Sequence, residues 1–244
     1  AMGVWYLLHT KALRLKADDF KLRGRILGAY LPLGLCSFLA QISLVIAMAA
    51  TNNMLVRYGA SSKYGADILR LWVASADYHA DIRISPEILK QISDNYRKLR
   101  NTARYCLSNL YDFDPDKDMV SNNELEELDK YALMKLDEVI KIARDAFEVY
   151  DYHTAAHSLH NFCVVEMSNF YFDVLKDRLY TSAPQSKTRR AAQTVLYKVL
   201  DALTLVLTPI LAFTADEIWQ SMPHDKSRNG ESPLFNEIPQ PDFI

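Results

Sequence analysis

The chain has 244 residues, 50% of them hydrophobic and 24% charged, with a formal net charge of −2. This size allows a buried globular core, while the near-neutral charge excludes binding to nucleic acid through overall charge and leaves only a local basic surface for it. Three widely separated cysteines, Cys36, Cys106 and Cys163, argue against a disulfide framework and are typical of a reducing cytoplasm.

The N-terminal segment, residues 1–61, is apolar and lacks a charged residue over positions 26–56. A stretch of this length could span a membrane, with its preceding basic residues on the cytoplasmic side. Gly28, Pro32 and Gly34 would break a spanning helix, and Gln41 is polar. We therefore favour a buried core segment and keep a membrane-associated or partner-binding helical protein as the alternative.

From Ser62 onward the apolar residues recur at helical spacing, and strand-type alternation is essentially missing. The first helix is predicted to bury Ile68, Leu69 and Trp72. The second should begin at Ser85-Pro86, because serine caps a helix and proline suits its first position. Pro115 lies among four aspartates and should end this second helix.

Four more stretches continue the helical pattern. One is predicted from Asn122 to Tyr150, and a long one from Thr154 to about Tyr180. Another opens at Ser186 and is kinked or ended by Pro209, and "ILAFTADEIWQSM" closes the series. The sequence therefore predicts an all-α, antiparallel helical bundle of about five helices over residues 62–222, with an irregular tail over residues 223–244.

The sequence contains little that is typical of a catalytic or metal-binding site. His153, His157 and His160 have a spacing that could chelate a metal, but partly buried histidines on a helix are the favoured interpretation. "DFDPDKD" lacks the glycine and the final glutamate of a calcium loop and is interpreted as a helix terminator. We predict no catalytic residue and no metal site.

Two basic clusters are candidates for contacts with nucleic acid. Arg97, Arg100 and Arg104 share a helix face because they are three and four residues apart. The second cluster consists of Lys187, Arg189 and Arg190. Guanidinium groups on a helix face suit phosphate contacts. The alternative is that these cations pair with neighbouring carboxylates on a solvated face.

Three stretches of the sequence closely resemble one protein family. "GADILRLWVAS" is similar to the region that follows the catalytic core of isoleucyl-tRNA synthetases. "FYFDVLKDRLYT" and "RRAAQTVLYKVLDALTLVLTPILAFTADEIW" resemble the middle and end of their anticodon-binding helical bundle. The resemblance covers about residues 63–219, in the family's order, and implies a domain that holds the anticodon stem and loop of an isoleucine-accepting tRNA.

The resemblance also implies what the chain should lack. The family joins isoleucine to tRNA with ATP and magnesium, using HIGH-type and KMSKS-type motifs that do not occur here. We therefore expect a catalytically inactive, cofactor-free fragment in the cytoplasm. Its partners would be tRNA and the missing catalytic domain, and an uncovered apolar face could allow self-association. Arg70 and Trp72 would lie at the junction, with Trp72 in packing and Arg70 as a hinge or stem contact.

Overall fold

The computed structural model describes residues 64–243, all within one compact unit. The long helices are α1 (Ala66–Ser75), α2 (Pro86–Asn109), α3 (Glu127–Glu148), α4 (Tyr152–Asn161), α5 (Phe172–Thr181), α6 (Lys187–Leu207) and α7 (Ala212–Trp219). Shorter helical turns occur at Pro115–Asp118, Asn122–Glu124 and Pro233–Phe235. The prediction for residues 26–56 lies outside the described residues.

The predicted all-α fold is confirmed, since residues 64–243 contain helices and turns and no strand. Within that range, none of the helices combines the length and the apolar character needed to cross a bilayer. The predicted helix over Asn122–Tyr150 begins later than expected. Asn122–Glu124 forms only a 3₁₀ turn, and α3 starts after Glu126, whose side chain exchanges capping hydrogen bonds with Asp129.

Helix α6 is the centre of the bundle. From Arg189 to Leu207 every residue except Lys198 is buried, because other helices surround this one and its buried polar side chains find partners inside the bundle. Helices α2, α3, α5 and α7 pack against it. Its buried hydroxyls are satisfied locally: Thr204 Oγ1, for example, donates to the Leu200 carbonyl oxygen over 2.7 Å.

A continuous helical rod over residues 152–181 forms one side of the bundle. It consists of α4, a π-helical segment at Phe162–Tyr171, and α5, with right-handed helical backbone at both junctions. The π segment packs against α2, where the Thr102 hydroxyl lies 3.4 Å from both the Cys163 carbonyl oxygen and Ser168 Oγ. The sequence pattern predicted the rod's length but gave no sign of the wider π-helical turns.

The short helix α1 differs in detail from its prediction. Ile68 is buried as predicted, but Leu71 is buried instead of Leu69, and both Leu69 and Trp72 are only partly buried. Its start relies on Gly65, whose positive φ of 82° is easily adopted only without a side chain. Helix α2 begins as predicted, with Ser85 Oγ accepting a 3.2 Å hydrogen bond from the Ile88 amide.

The tail after α7 is irregular and fastened to the bundle by polar contacts. Arg228 reaches the buried carboxylate of Asp201 at 2.5 Å, and the Trp219 indole donates to the Asn229 carbonyl oxygen over 3.1 Å. Further along, Arg144 of α3 donates to the Ile238 carbonyl oxygen over 2.8 Å. The tail therefore lies across α6 and α3 and links these two helices to each other.

Candidate nucleic-acid interface

Helix α2 presents a basic ridge to solvent. Arg97, Arg100 and Arg104 are all exposed on one side of the helix, as their spacing predicted. Arg97 forms an exposed ion pair of 3.2 Å with Asp94, one turn before it. Arg104 forms no ion pair with any residue of the described part of the chain, so its guanidinium is available to an external anion.

Arg100 is held in place by polar contacts that lead into the bundle. Its guanidinium donates to Glu217 of α7 over 2.8 Å and to the Tyr96 hydroxyl over 3.2 Å. Tyr96 in turn lies 2.9 Å from the hydroxyl of Thr214, which donates to the buried carboxylate of Asp67 over 2.6 Å. The hydrogen bonds from Tyr96 and Glu217 raise the pKa of Arg100. Arg100 is therefore a positioned cation whose charge is already partly matched.

The second predicted cluster divides between surface and interior. Lys187 is exposed and pairs with Glu124 at 2.6 Å. Arg189 and Arg190 are only 5% and 6% exposed, so the structure corrects the expectation that they reach an external phosphate. Arg189 binds both carboxylate oxygens of Asp112, at 2.6 and 3.0 Å.

The guanidinium of Arg190 is also bound by groups within the chain. It donates to the Asp112 carbonyl oxygen and to the Gln193 side chain, each over 2.8 Å. These two arginines therefore join the start of α6 to the segment after α2. The alternative interpretation is right that these cations pair with carboxylates, but they do so in the interior and not on a solvated face.

Arg70 is part of the structural framework at one end of the bundle. Its Nε donates to the Ile210 carbonyl oxygen over 2.8 Å, and a terminal nitrogen donates to that of Pro209 over 2.9 Å. These contacts fasten α1 to the turn between α6 and α7. Trp72 is partly buried against the core. Both side chains contact the bundle itself, and the junction with a catalytic core stays a prediction.

The histidines of α4 do not gather into a metal site. No cluster of three or more potential metal ligands occurs among residues 64–243. His153 Nδ1 lies 2.7 Å from the Ser75 carbonyl oxygen, which ties α4 to the end of α1. Burial lowers the pKa of His160, with Lys98 and His157 adding to the effect. The described residues therefore offer no set of ligands for a metal cofactor.

Sequence reasoning missed two exposed tyrosines near the far end of α2. Tyr111 follows this helix and is 80% exposed, and Tyr180 in the last turn of α5 is 65% exposed. The signal for Tyr111 was present, because residues 97, 101, 104, 108 and 111 alternate at spacings of four and three. A search for positively charged residues alone ends at Arg104 and does not include the aromatic ring of Tyr111.

Comparisons with known proteins agree with this architecture. Residues 129–244 match the family described as anticodon-binding domain of tRNA ligase. The isoleucine–tRNA ligase of Caldanaerobacter subterraneus is 57% identical over 178 residues, which cover 73% of this chain and 19% of that protein. That of Desulforamulus reducens is 59% identical over 162 residues, covering 66% of this chain and 17% of that protein. The chain thus spans about a fifth of the length of these relatives.

Solved structures of lower sequence identity share the fold. The Mycobacterium tuberculosis methionyl-tRNA synthetase in its free state aligns with a TM-score of 0.57 and 18% identity, over 75% of this chain and 37% of that one. An Agrobacterium radiobacter LeuRS, solved as a ternary complex with tRNA and LeuAMS, aligns with a TM-score of 0.54 and 16% identity, over 76% and 21%. At these identities the likeness establishes the architecture alone.

Proposed function

This chain carries the anticodon-binding domain of the isoleucine–tRNA ligase family, and from that premise we propose that it holds the anticodon stem and loop of an isoleucine-accepting tRNA. The observation that carries the proposal is the exposed ridge of Arg97, Arg100 and Arg104 on α2. Phosphate contacts from such a ridge would set the position of the RNA without reading its sequence. The ridge supplies the local basic surface that a chain of net charge −2 needs.

The ligation reaction is proposed for the whole ligase and not for these residues alone. Adenylate formation needs preorganised cations around the phosphates of ATP, and the HIGH-type and KMSKS-type motifs that would supply them do not occur in this sequence. We expect the 244-residue chain to show no isoleucine-dependent exchange of pyrophosphate into ATP. Exchange above the background of a clean preparation would contradict this. ATP and magnesium are accordingly assigned to the whole enzyme, acting in the cytoplasm.

The binding role is tested by replacing the two ridge arginines that are least committed to the fold. Arg97→Glu with Arg104→Glu should weaken binding to an isoleucine-accepting tRNA. The slope of log affinity against log salt should also become shallower, by about 0.7–0.9 for each phosphate that the variant no longer neutralises. Filter binding at several salt concentrations measures both quantities.

A matched control is Lys141→Glu, which reverses an exposed cation on α3. It changes the net charge in the same direction but lies on a different helix, so it should alter binding much less. Equal affinity and equal salt slope in the double variant and the unmodified chain would remove the α2 ridge from the proposal. Equal losses per reversed charge in the double variant and in Lys141→Glu would reduce the effect to net charge.

A further inference from the structure

The polar ridge of α2 ends at an aromatic side chain. Arg97, Asn101, Arg104 and Ser108 all lie on the ridge side of the helix, because their spacing keeps them on one face. The helix ends at Asn109, and Tyr111 follows two residues later. Tyr111 therefore lies just past the C-terminal end of the ridge, outside the helix. A strand of RNA that continues beyond that end would meet its aromatic ring.

Tyr111 combines exposure with a firmly anchored neighbour. Its side chain is 80% exposed, while the buried guanidinium of Arg189 lies 6.0 Å from the centre of its ring. Arg189 itself is fixed by two hydrogen bonds to Asp112 and by one of 3.0 Å to the Pro184 carbonyl oxygen. An exposed ring beside a fixed cation is a preorganised surface for stacking, and stacking tolerates any base.

A second exposed tyrosine follows a residue that binds the same arginine. The Nε of Arg189 donates to the Leu179 carbonyl oxygen over 3.3 Å, and Tyr180 is the next residue. Burial raises the pKa of Tyr105 on α2, and the Tyr180 side chain adds to the effect. The Arg189 guanidinium therefore contacts the chain beside two exposed tyrosines, one after α2 and one at the end of α5.

The carboxylates near Tyr111 are matched by cations. Asp112 is bound by Arg189, Asp114 is paired with Lys117, and Asp116 lies 3.6 Å from Lys226. These pairs reduce the repulsion that an acidic segment would exert on RNA. Because these cations are already paired, a phosphate should bind beside Tyr111 less well than a base, whose stacking needs no unpaired cation.

We propose that Tyr111 is a stacking site for an unpaired base of the RNA loop, with Tyr180 as its neighbour, and that the stem phosphates of the same RNA lie along α2. This inference rests on the proposed function, because it names the part of the RNA that reaches the end of the ridge. Tyr111 would act through its ring and not through its hydroxyl. The site would favour loops over fully paired RNA because only an unpaired base exposes its face.

The test uses the full 244-residue chain and two synthetic RNAs. One is the anticodon stem–loop of an isoleucine-accepting tRNA, and the other is a duplex of the same stem without the loop. Tyr111→Ala should weaken binding to the stem–loop about 5-fold to 150-fold, the range for losing one stacked base. Binding to the duplex should stay the same, and Tyr111→Phe should bind both RNAs like the unmodified chain.

The matched control is Tyr78→Ala, which removes a tyrosine that is 56% exposed in the loop between α1 and α2. It should bind both RNAs normally. An unchanged urea midpoint in each variant would show that the fold is intact. Tyr180→Ala removes the second ring and should likewise weaken binding to the stem–loop and not to the duplex.

Three results would overturn the inference. Unchanged binding of the stem–loop by both alanine variants would remove the stacking site and leave the α2 ridge standing. Equal weakening for stem–loop and duplex would assign Tyr111 to the stem. If the unmodified chain bound neither RNA, the proposed function itself would fail, and the stacking site with it.

Discussion

Asp129→Ala should lower the free energy of unfolding by about 3–5 kcal/mol, because it leaves the partly buried Arg178, whose side chain is only 14% exposed, without its main partner. Asp129 is fully buried in the first turn of α3. Its two carboxylate oxygens each accept a 2.9 Å hydrogen bond from Arg178 of α5. One of them also accepts a 2.7 Å hydrogen bond from the Tyr171 hydroxyl. Urea denaturation followed by circular dichroism measures the loss.

The size of this effect is best judged against two further variants. Asp129→Asn keeps the shape and one acceptor oxygen, so it should destabilise the chain less than Asp129→Ala. Asp173→Ala breaks an exposed ion pair, that with Lys176 at 2.6 Å, and should leave the free energy of unfolding nearly unchanged. A loss from Asp129→Ala no larger than that from Asp173→Ala would contradict a structural role for the buried pair.

The helices were largely predictable because their signals are local. Ser85 and Pro86 act within one turn, and so does Ser186, whose hydroxyl caps α6 at its Arg189 amide. The pairing of Asp129 with Arg178 could not be predicted in this way, since the partners are 49 residues apart. Nothing within α3 or α5 indicates which distant residue a charged side chain will contact. The local sequence likewise gives no sign of the π-helical turns at Phe162–Tyr171.

The candidate interface shows the same division. Arg97, Arg100 and Arg104 lie on one helix, so their spacing alone places them on one face. Arg189 and Arg190 have a similar local pattern and a different position, because α6 is surrounded by other helices and its start lies beside Asp112. A basic run on a helix thus predicts a shared face, and only the packing decides whether that face is exposed.

Asp112→Ala is the second variant that we expect to destabilise the chain strongly, by about 3 kcal/mol at neutral pH. It would leave Arg189, only 5% exposed, without its carboxylate and would also remove a 2.8 Å acceptor of Gln193. We expect the lower end of the range for a broken buried pair because the Asp112 side chain is 24% exposed. Denaturant titration of both proteins at pH 7 measures the difference.

The pH dependence of that difference tests its cause. The Arg189 guanidinium holds the pKa of the Asp112 carboxyl below its usual range, with Gln193 and Arg190 adding to the effect. The stabilisation is therefore complete above the unfolded-state pKa of about 3.9 and is lost as the pH falls through the lower folded-state pKa. The free energies of unfolding of Asp112→Ala and of the unmodified chain should differ most at neutral pH and progressively less as the pH falls. Asp145→Ala, which removes a carboxylate on α3, should match the unmodified chain at neutral pH. A difference between Asp112→Ala and the unmodified chain that persisted unchanged into strong acid would show that Asp112 acts through its shape and not through its charge.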